Sequence, residues 1–421
     1  MILSIEFNGY KFFSDNSIIS FSADARTKKL LSNSTVLDGK NVLKAVGLYG
    51  SNNSGKTNLY KLFAYIKLVL DGKDNIRFNM REFGDSSDIR ISTIFDNLTN
   101  NGWIRYTFNY NQDRNQYDYE SIDQITYYDS GKRFEKNVFE KDVNNKILKV
   151  FGDNSYSKYI NIISSRVPFL YSIELKDNEF SGLYNYYEEI RALYNSIELF
   201  SMYNIPIENT LNAMKNDDKN KISFIKEFVK NADVSIDDFA YDENAMINIS
   251  TPEINEEALK RITKITDSLK FVTTYGNVKV PSFLFDSTGT KKIEAIASYI
   301  YDALKNGKTL VIDEIDNGLH YKLTRSIVSV FNNMANTRGQ LFFITHDLLL
   351  IDCNKLMRKD QIYFLNRNKN KAELFCLKNA TAESGGLREV NDIIKHYNRG
   401  EFGNVPNPDF ISLLLGVDDC E

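Results

Sequence analysis

Polar and apolar positions alternate along this chain in two distinct rhythms, and the switch between them falls at residue 50. Before it, 42–49 is mostly apolar, with Val42, Leu43, Ala45, Val46, Leu48 and Tyr49 interrupted by Lys44. Such a run predicts a short buried strand. After it, Leu59, Leu62, Phe63, Ile66 and Leu70 recur at helical spacing, which predicts an amphipathic helix over 56–70. Upstream, Ile2, Ile5 and Phe7 begin a strand, and 18–21 supplies its hairpin partner. Downstream, 89–95 and 103–110 predict two strands about a turn at 97–102. A further β-like run at 122–128 ends in Ser130-Gly131.

From about 150 to 270 the texture becomes helical. Tyr187, Ile190, Tyr194 and Ile197 fall on one face, as do Ile222, Ile225, Phe228 and Val229, and later Leu259, Ile262, Ile265 and Leu269. Pro206 and Pro252 break the register, so no long heptad coiled coil is expected. Strand character returns at 278–285. A helix (291–304), a strand (309–313), a second helix (322–335) and a second strand (340–344) then alternate. That order predicts a mainly parallel sheet covered on both faces. The fold class is therefore α/β, with an antiparallel β part in the first 150 residues and a helical insertion.

The residues at the switch of rhythm are Gly50-Ser51-Asn52-Asn53-Ser54-Gly55-Lys56-Thr57. They form a complete phosphate-binding loop: glycine, four free positions, then Gly-Lys-Thr. The glycines let successive N–H groups turn into one anion-sized hollow. Lys56 reaches the β- and γ-phosphates, and the Thr57 hydroxyl is a ligand for Mg²⁺. A strand before the loop and a helix after it aim a helix N-terminus at the phosphates, which separates this reading from an ordinary polar turn.

Composition narrows the class without choosing the task. A chain of 421 residues with 42% hydrophobic and 26% charged residues is ordinary for a globular protein of one large or several smaller domains. A net charge of −4 argues against a nucleic-acid binder that is basic throughout, though not against a local basic groove. Cys353, Cys376 and Cys420 make no C-x-x-C pair, which fits a reducing cytoplasm and suggests neither zinc nor a disulfide framework. No basic-then-apolar leader and no run near 18 apolar residues is present, so neither a signal peptide nor a membrane span is expected.

Three further segments acquire meaning beside the loop. Thr309-Leu310-Val311-Ile312-Asp313-Glu314 is an apolar strand ending in two acids. Asp313 suits the Mg²⁺ shell, and Glu314 suits polarisation of the attacking water. Asp286-Ser287-Thr288-Gly289-Thr290-Lys291-Lys292 places a Ser/Gly/Thr turn at a helix start, an anion site or a plain helix cap. His346, one of three histidines, closes the strand before Asp347. It reads as a γ-phosphate sensor, with a structural polar cap as the alternative.

In that order these motifs resemble an ABC-type ATPase head, and more closely the AAA-family ATP-binding proteins grouped with OLD, RecF and SMC ATPases. The residues carrying the resemblance are 41–59 with Asn58, the Ser287-Thr288-Gly289-Thr290-Lys291 signature turn, Asp313-Glu314-Ile315-Asp316-Asn317-Gly318-Leu319-His320, and 400–406. Phe7-Asn8-Gly9-Tyr10-Lys11-Phe12-Phe13 is similar to the first-strand motif, with Lys11 where that family usually has Arg. The glutamine of the family's Q-loop has no assigned position. The resemblance covers about 1–125 and 270–410. It implies a head built from 1–150 and 271–421, with 151–270 as an insertion that meets a partner or another copy.

What the resemblance implies mechanistically is an ATP- and Mg²⁺-dependent homodimer, or higher homo-oligomer. ATP held by 50–58, Lys11 and Asp316 of one copy would be covered by Ser287, Gly289, Thr290 and Lys291 of the other. Lys56, Glu314 and His346 would be catalytic, and Thr57 and Asp313 would hold the metal. Three tasks are compatible with such a head. One is regulation of a separate effector protein in bacterial phage defence, and another is clamping of DNA in repair or maintenance. The third, a self-contained nuclease toxin, is disfavoured. Only 75 residues follow His346, and Arg388 and His396 have seven residues between them where a HEPN centre needs about four to six.

Overall fold

The computed structural model describes residues 1–51, 53–70, 87–97, 102–128, 132–161, 165–174, 180–203, 205–243, 266–369, 371–380 and 390–402. The strands are β1 (Ile2–Asn8), β2 (Ser17–Ser20), β3 (Ser34–Leu37), β4 (Lys40–Leu43), β5 (Ala45–Tyr49), β6 (Asp88–Asp96), β7 (Trp103–Asn111), β8 (Gln116–Tyr127) and β9 (Arg133–Asp142). They continue with β10 (Ile147–Val150), β11 (Ile197–Ser201), β12 (Asp238–Tyr241), β13 (Phe271–Tyr275), β14 (Val278–Pro281), β15 (Thr309–Asp313), β16 (Gln340–Thr345), β17 (Ile362–Asn368) and β18 (Lys371–Cys376).

The sheet that carries the site runs β11-β15-β16-β5-β17-β18. All neighbours in it are parallel except β17 and β18. Its strands are apolar almost throughout because both faces are covered, and alternate side chains go to opposite layers. Val46, Leu48, Val311, Phe342 and Ile344 join one core with Leu59, Leu62, Phe63 and Ile66 of the helix Lys56–Leu68. Leu310, Ile312, Leu341 and Phe343 join a second core with Ala295, Ile296 and Ile300 of the helix Thr288–Asn306. An antiparallel sheet, β10-β9-β8-β7-β6-β1-β2, packs into the first core.

The expected α/β class with an antiparallel part and a parallel sheet is what the structure has. Three local expectations change. Ile197 does not close the helical stripe of Tyr187, Ile190 and Tyr194; that helix ends at Asn195 and Ile197 opens β11. The parallel partner β15, with Ile197 opposite Thr309, overrides the helical spacing of the two neighbouring apolar residues. Residues 278–285 are not one strand. β14 stops at Pro281, Ser282–Phe285 forms a helical turn closed by Asp286 N to Ser282 O at 2.9 Å, and Phe283, Leu284 and Phe285 are exposed. The strand read over 42–49 is two, β4 and β5, parted at Lys44.

The helix Lys219–Ala232 carries the expected stripe, and Ile225 and Val229 pack with Ile293 and Ala297 of Thr288–Asn306. The segment after β11 is thereby fastened to the helix behind the signature turn. Leu259, Ile262, Ile265, Pro252, Ser130-Gly131, Arg388, Cys420 and 403–406 lie outside the described residues. Among the described residues no helix is long and apolar enough to cross a membrane.

Candidate functional site

The loop after β5 owes its shape to three positions. A Cβ on Gly50 would fall 2.7 Å from the Leu365 carbonyl oxygen and 2.9 Å from Ser54 Oγ, so no larger residue fits there. Asn53 and Gly55 have φ of 62° and 103°, and the helix starts immediately after, at Lys56. The Lys56 ammonium donates to the carbonyls of Gly50 and Ser51 at 2.8 and 2.7 Å, folded back over its own loop. Burial pulls its pKa down to about 8, against the opposing pull of Glu314, Asp313 and Asp316. Asn52 lies outside the described residues.

The first-strand motif lies against this loop. Tyr10 donates its hydroxyl to the Asn58 carbonyl at 2.9 Å, and Asn58 N–H donates to the Gly55 carbonyl at 2.9 Å. Lys11 is buried with φ of 53°. The Arg367 guanidinium stacks on Phe12 with its carbon 3.6 Å from the ring centroid, and donates to the Asn53 carbonyl at 3.2 Å. Arg367, on β17, has no motif around it and is invisible in the sequence.

The acids arrive from strands β15 and β16. Asp313, at the end of β15, is buried close enough to the Thr57 hydroxyl for it to oppose the upward pull of burial on the carboxyl, and its Oδ1 has no partner among the described atoms. Ser54 Oγ is buried and unpartnered in the same way. Orphaned buried oxygens beside a phosphate-binding loop suit a divalent cation and the phosphate it accompanies, so Thr57 and Asp313 fit Mg²⁺. Burial, then the Glu314 charge, raises the Asp313 carboxyl to about 6.

Glu314 follows with φ of 55°, a left-handed conformation costly for a residue with a Cβ. Burial works to raise its carboxyl. Hydrogen bonds from Tyr203 and Asn317 and the charges of His346 and Lys56 outweigh it and hold the group below its ordinary value. Asn317 Nδ2 donates to Glu314 Oε2 at 3.0 Å. Asp316 accepts from Thr345 Oγ1 at 2.7 Å and from His346 N at 3.3 Å, which ties the turn after β15 to the end of β16. Burial, then Lys56, keeps the His346 imidazole below its usual pKa and so biased to the neutral form.

The signature turn reaches this cluster from the other core. Ser287 caps its helix by accepting from Thr290 N at 3.1 Å, and Thr290 Oγ1 donates to Asp233 Oδ2 at 3.2 Å. A Cβ on Gly289 would fall 2.7 Å from the Gly318 carbonyl oxygen. Lys292, buried one turn on, donates to Asn317 O and Oδ1 at 2.8 and 2.9 Å. The Lys291 ammonium lies 5.6 Å from the Phe283 ring centroid.

The structure thus gathers Lys56, Thr57, Asp313, Glu314, Asp316 and His346 into one polar cluster, and joins Ser287–Thr290 to it through Gly318 and Asn317. Sequence reasoning missed Lys292 and the grip on Asn317. The motif containing Asn317 was a signal for the latter. Among the described residues no group of three or more His, Cys, Asp or Glu side chains could hold a metal by itself, so the cation's other ligands must come from Thr57, phosphate and water.

A family model described as “AAA domain, putative AbiEii toxin, Type IV TA system” matches residues 45–352. A Helicobacter pylori (strain ATCC 700392 / 26695) protein named “ATP/GTP phosphatase” is 25% identical over 195 residues, 41% of this chain and 50% of that protein. The match therefore spans about half the length of that curated relative. Among solved structures, the SMC head domain from Thermotoga maritima superposes with a TM-score of 0.43 at 12% identity, covering 89% of this chain and 98% of that one. The Smc head domain with an extended coiled coil bound to the C-terminal domain of ScpA, derived from Pyrococcus furiosus, gives 0.41 at 12%, covering 94% and 98%.

Proposed function

The chain belongs to the AAA-domain family matched over residues 45–352, and from that premise we propose that it binds and hydrolyses ATP with Mg²⁺. One observation carries the reading. The loop 50–57 stands beside a buried carboxylate, Asp313, that lies near the Thr57 hydroxyl and keeps one oxygen unpartnered among the described atoms. That is the donor set for a metal-bound triphosphate. The relative named for ATP and GTP phosphatase activity supports the same chemistry.

In the mechanism, Lys56 leaves the Gly50 and Ser51 carbonyls for phosphate oxygens, and Ser54 Oγ and the loop N–H groups complete the cradle. Thr57 and Asp313 would hold Mg²⁺, whose charge would offset that developing on the phosphoryl group when it is bound. Glu314 takes the proton of the attacking water and His346, neutral, donates to the terminal phosphate. Asp316 keeps His346 in register through the bonds described above.

Two copies complete the site. Ser287, Gly289, Thr290 and Lys291 of one cover the nucleotide held by the other, an isologous pairing. ATP favours the closed pair and hydrolysis releases it. Residues 1–150 and 271–421, with β11 completing the edge of their sheet, form the head, and the rest of 151–270 faces a partner. The pairing regulates a separate effector, in bacterial phage defence; the toxin–antitoxin description of the family supports that setting. A DNA-clamping role in repair is the competing task.

The test is nucleotide binding and phosphate release by three proteins: parental, Lys56→Ala and Glu314→Gln. Lys56→Ala is expected to lose nucleotide. Glu314→Gln is expected to keep ATP and accumulate as the pair. Parental turnover in both variants refutes the assignment. The partner retained by Glu314→Gln from its native cell, a stoichiometric protein or DNA, decides between the two tasks.

A further inference from the structure

We infer that Arg367 is a positioning residue for the phosphate-binding loop: it fixes the Asn53 peptide so that the Ser54 N–H stays on the phosphate side once Lys56 has turned to the nucleotide. The inference rests on the nucleotide-binding reading and adds to it a residue from outside the nucleotide motifs.

The peptide between Asn53 and Ser54 is held from both ends. Arg367 Nη1 donates to the Asn53 carbonyl at 3.2 Å and to Asn53 Oδ1 at 3.4 Å. The Ser54 N–H donates to the Ser51 carbonyl at 3.3 Å, the same oxygen that accepts from Lys56 Nζ at 2.7 Å. The carbonyl and the N–H of one trans peptide point in opposite directions. Arg367 therefore lies on the outer side of the loop and Lys56 on the inner side, where the phosphates come. Holding the Asn53 oxygen outward holds the Ser54 N–H inward. A bound triphosphate draws Lys56 away from the Gly50 and Ser51 carbonyls, and the loop then loses its inner grip. The outer grip of Arg367 is untouched by that exchange.

Arg367 is itself fixed, which a clamp requires. Its Nε donates to the Lys369 carbonyl at 2.9 Å, within the β17–β18 hairpin, and its guanidinium carbon stands 3.6 Å from the Phe12 ring centroid. Phe12 is buried, and its carbonyl accepts from Ala372 N at 2.8 Å. Its ring also reaches the loop, with Cδ2 3.9 Å from where a Cβ on Gly55 would fall. One guanidinium thus joins the loop, the first-strand motif and the hairpin. Asn53 gives it something to restrain, because φ of 62° is a left-handed conformation that a residue with a Cβ holds at a cost. A lysine would bring the same charge to this place. It would bring neither the plane that lies on Phe12 nor a second nitrogen for Lys369.

Arg367→Met and Arg367→Lys are titrated with ATP and with ADP, beside thermal melts. Arg367→Met is expected to raise Kd for both nucleotides about 10-fold, since a charged donor to the loop is lost, with Tm unchanged. In turnover, KM for ATP is expected to rise by more than kcat falls. Arg367→Lys is expected to stay about 3-fold or more weaker than the parental protein, because charge without the planar fork does not fix the peptide. Parental Kd in Arg367→Met overturns the inference. Parental Kd in Arg367→Lys also overturns it, since charge alone then suffices. A raised Kd with a lowered Tm overturns it in favour of general support of the hairpin. If the parental protein binds neither ATP nor ADP, the nucleotide reading fails by itself. A crystal structure of Arg367→Met then decides the positioning: a turned Asn53 peptide supports it, and an unturned one overturns it.

Discussion

Replacing Lys292 by Met tests how the signature helix is connected to the chemistry. Met has nearly the same length and no charge, so the packing of a side chain only 4% exposed is preserved while its hydrogen bonds are lost. Two are lost together: Nζ to Asn317 O at 2.8 Å and to Asn317 Oδ1 at 2.9 Å. Bonds from a charged donor contribute about 1.5–3 kcal/mol each, but water reaches part of this turn, so a stability loss of about 2 kcal/mol is the expected total. The effect on turnover follows from geometry. With Oδ1 released, the Asn317 amide turns freely and no longer presents Nδ2 to Glu314 Oε2 at 3.0 Å. Misplacing the base by that route is expected to lower kcat roughly 10- to 100-fold, equivalent to about 1.4–2.8 kcal/mol. KM for ATP is expected to change little, because the phosphates are held by the loop 50–57. Steady-state phosphate release and a thermal melt measure both quantities on one preparation. A variant with parental kcat and a lowered melting temperature would refute the link from Lys292 to Glu314, leaving Lys292 a purely structural residue.

Two buried carboxylates give independent predictions of stability. Glu294 accepts from Ser282, lies 3.4 Å from Thr273 Oγ1 and is bonded to Asp286, and burial followed by Asp286 pushes its carboxyl well above the usual range. A carboxyl with a raised folded pKa costs stability progressively as pH rises from about 4.5, its unfolded value, through the folded one. Glu294→Gln mimics the protonated form, so its urea-unfolding free energy is expected to fall less than the parental value between pH 5 and 8, and parallel curves would reject this. Lys141→Met removes the cation 3.9 Å from Glu120, where both side chains are fully buried. Stranding the charge is expected to cost about 3–5 kcal/mol at neutral pH. The loss should shrink in acid, because burial already raises the Glu120 carboxyl and protonation relieves it. A pH-independent loss in denaturant titrations would point to packing instead.

What could be read from the sequence divides according to distance along the chain. The phosphate-binding loop and its helix are local, and the structure ends that helix within two residues of the expected end, while the strand before the loop is split at Lys44. β15 coincides with 309–313, because an apolar run between a turn and two acids admits little else. Asp313, Glu314, Asp316 and His346 were each recognisable from their motifs, although their convergence depends on β16 pairing between β15 and β5. β11 was misread because Ile197-Glu198-Leu199-Phe200-Ser201 is too short to separate a helical period from a strand; only its partner, β15, decides it. Lys292 could be seen as part of a helix start, but not as a donor to Asn317.

The strand β11 also determines where this chain can be cut and rejoined. Its residues lie within 151–270, the stretch expected to be an insertion, yet they form the outer rail of the sheet that bears Asp313. An engineer who excised 151–270 as one cassette would strip β15 of its neighbour and leave a raw sheet edge beside Asp313. The serviceable seams lie on either side of 197–203, so a foreign module grafted onto this head has to be threaded in as two pieces.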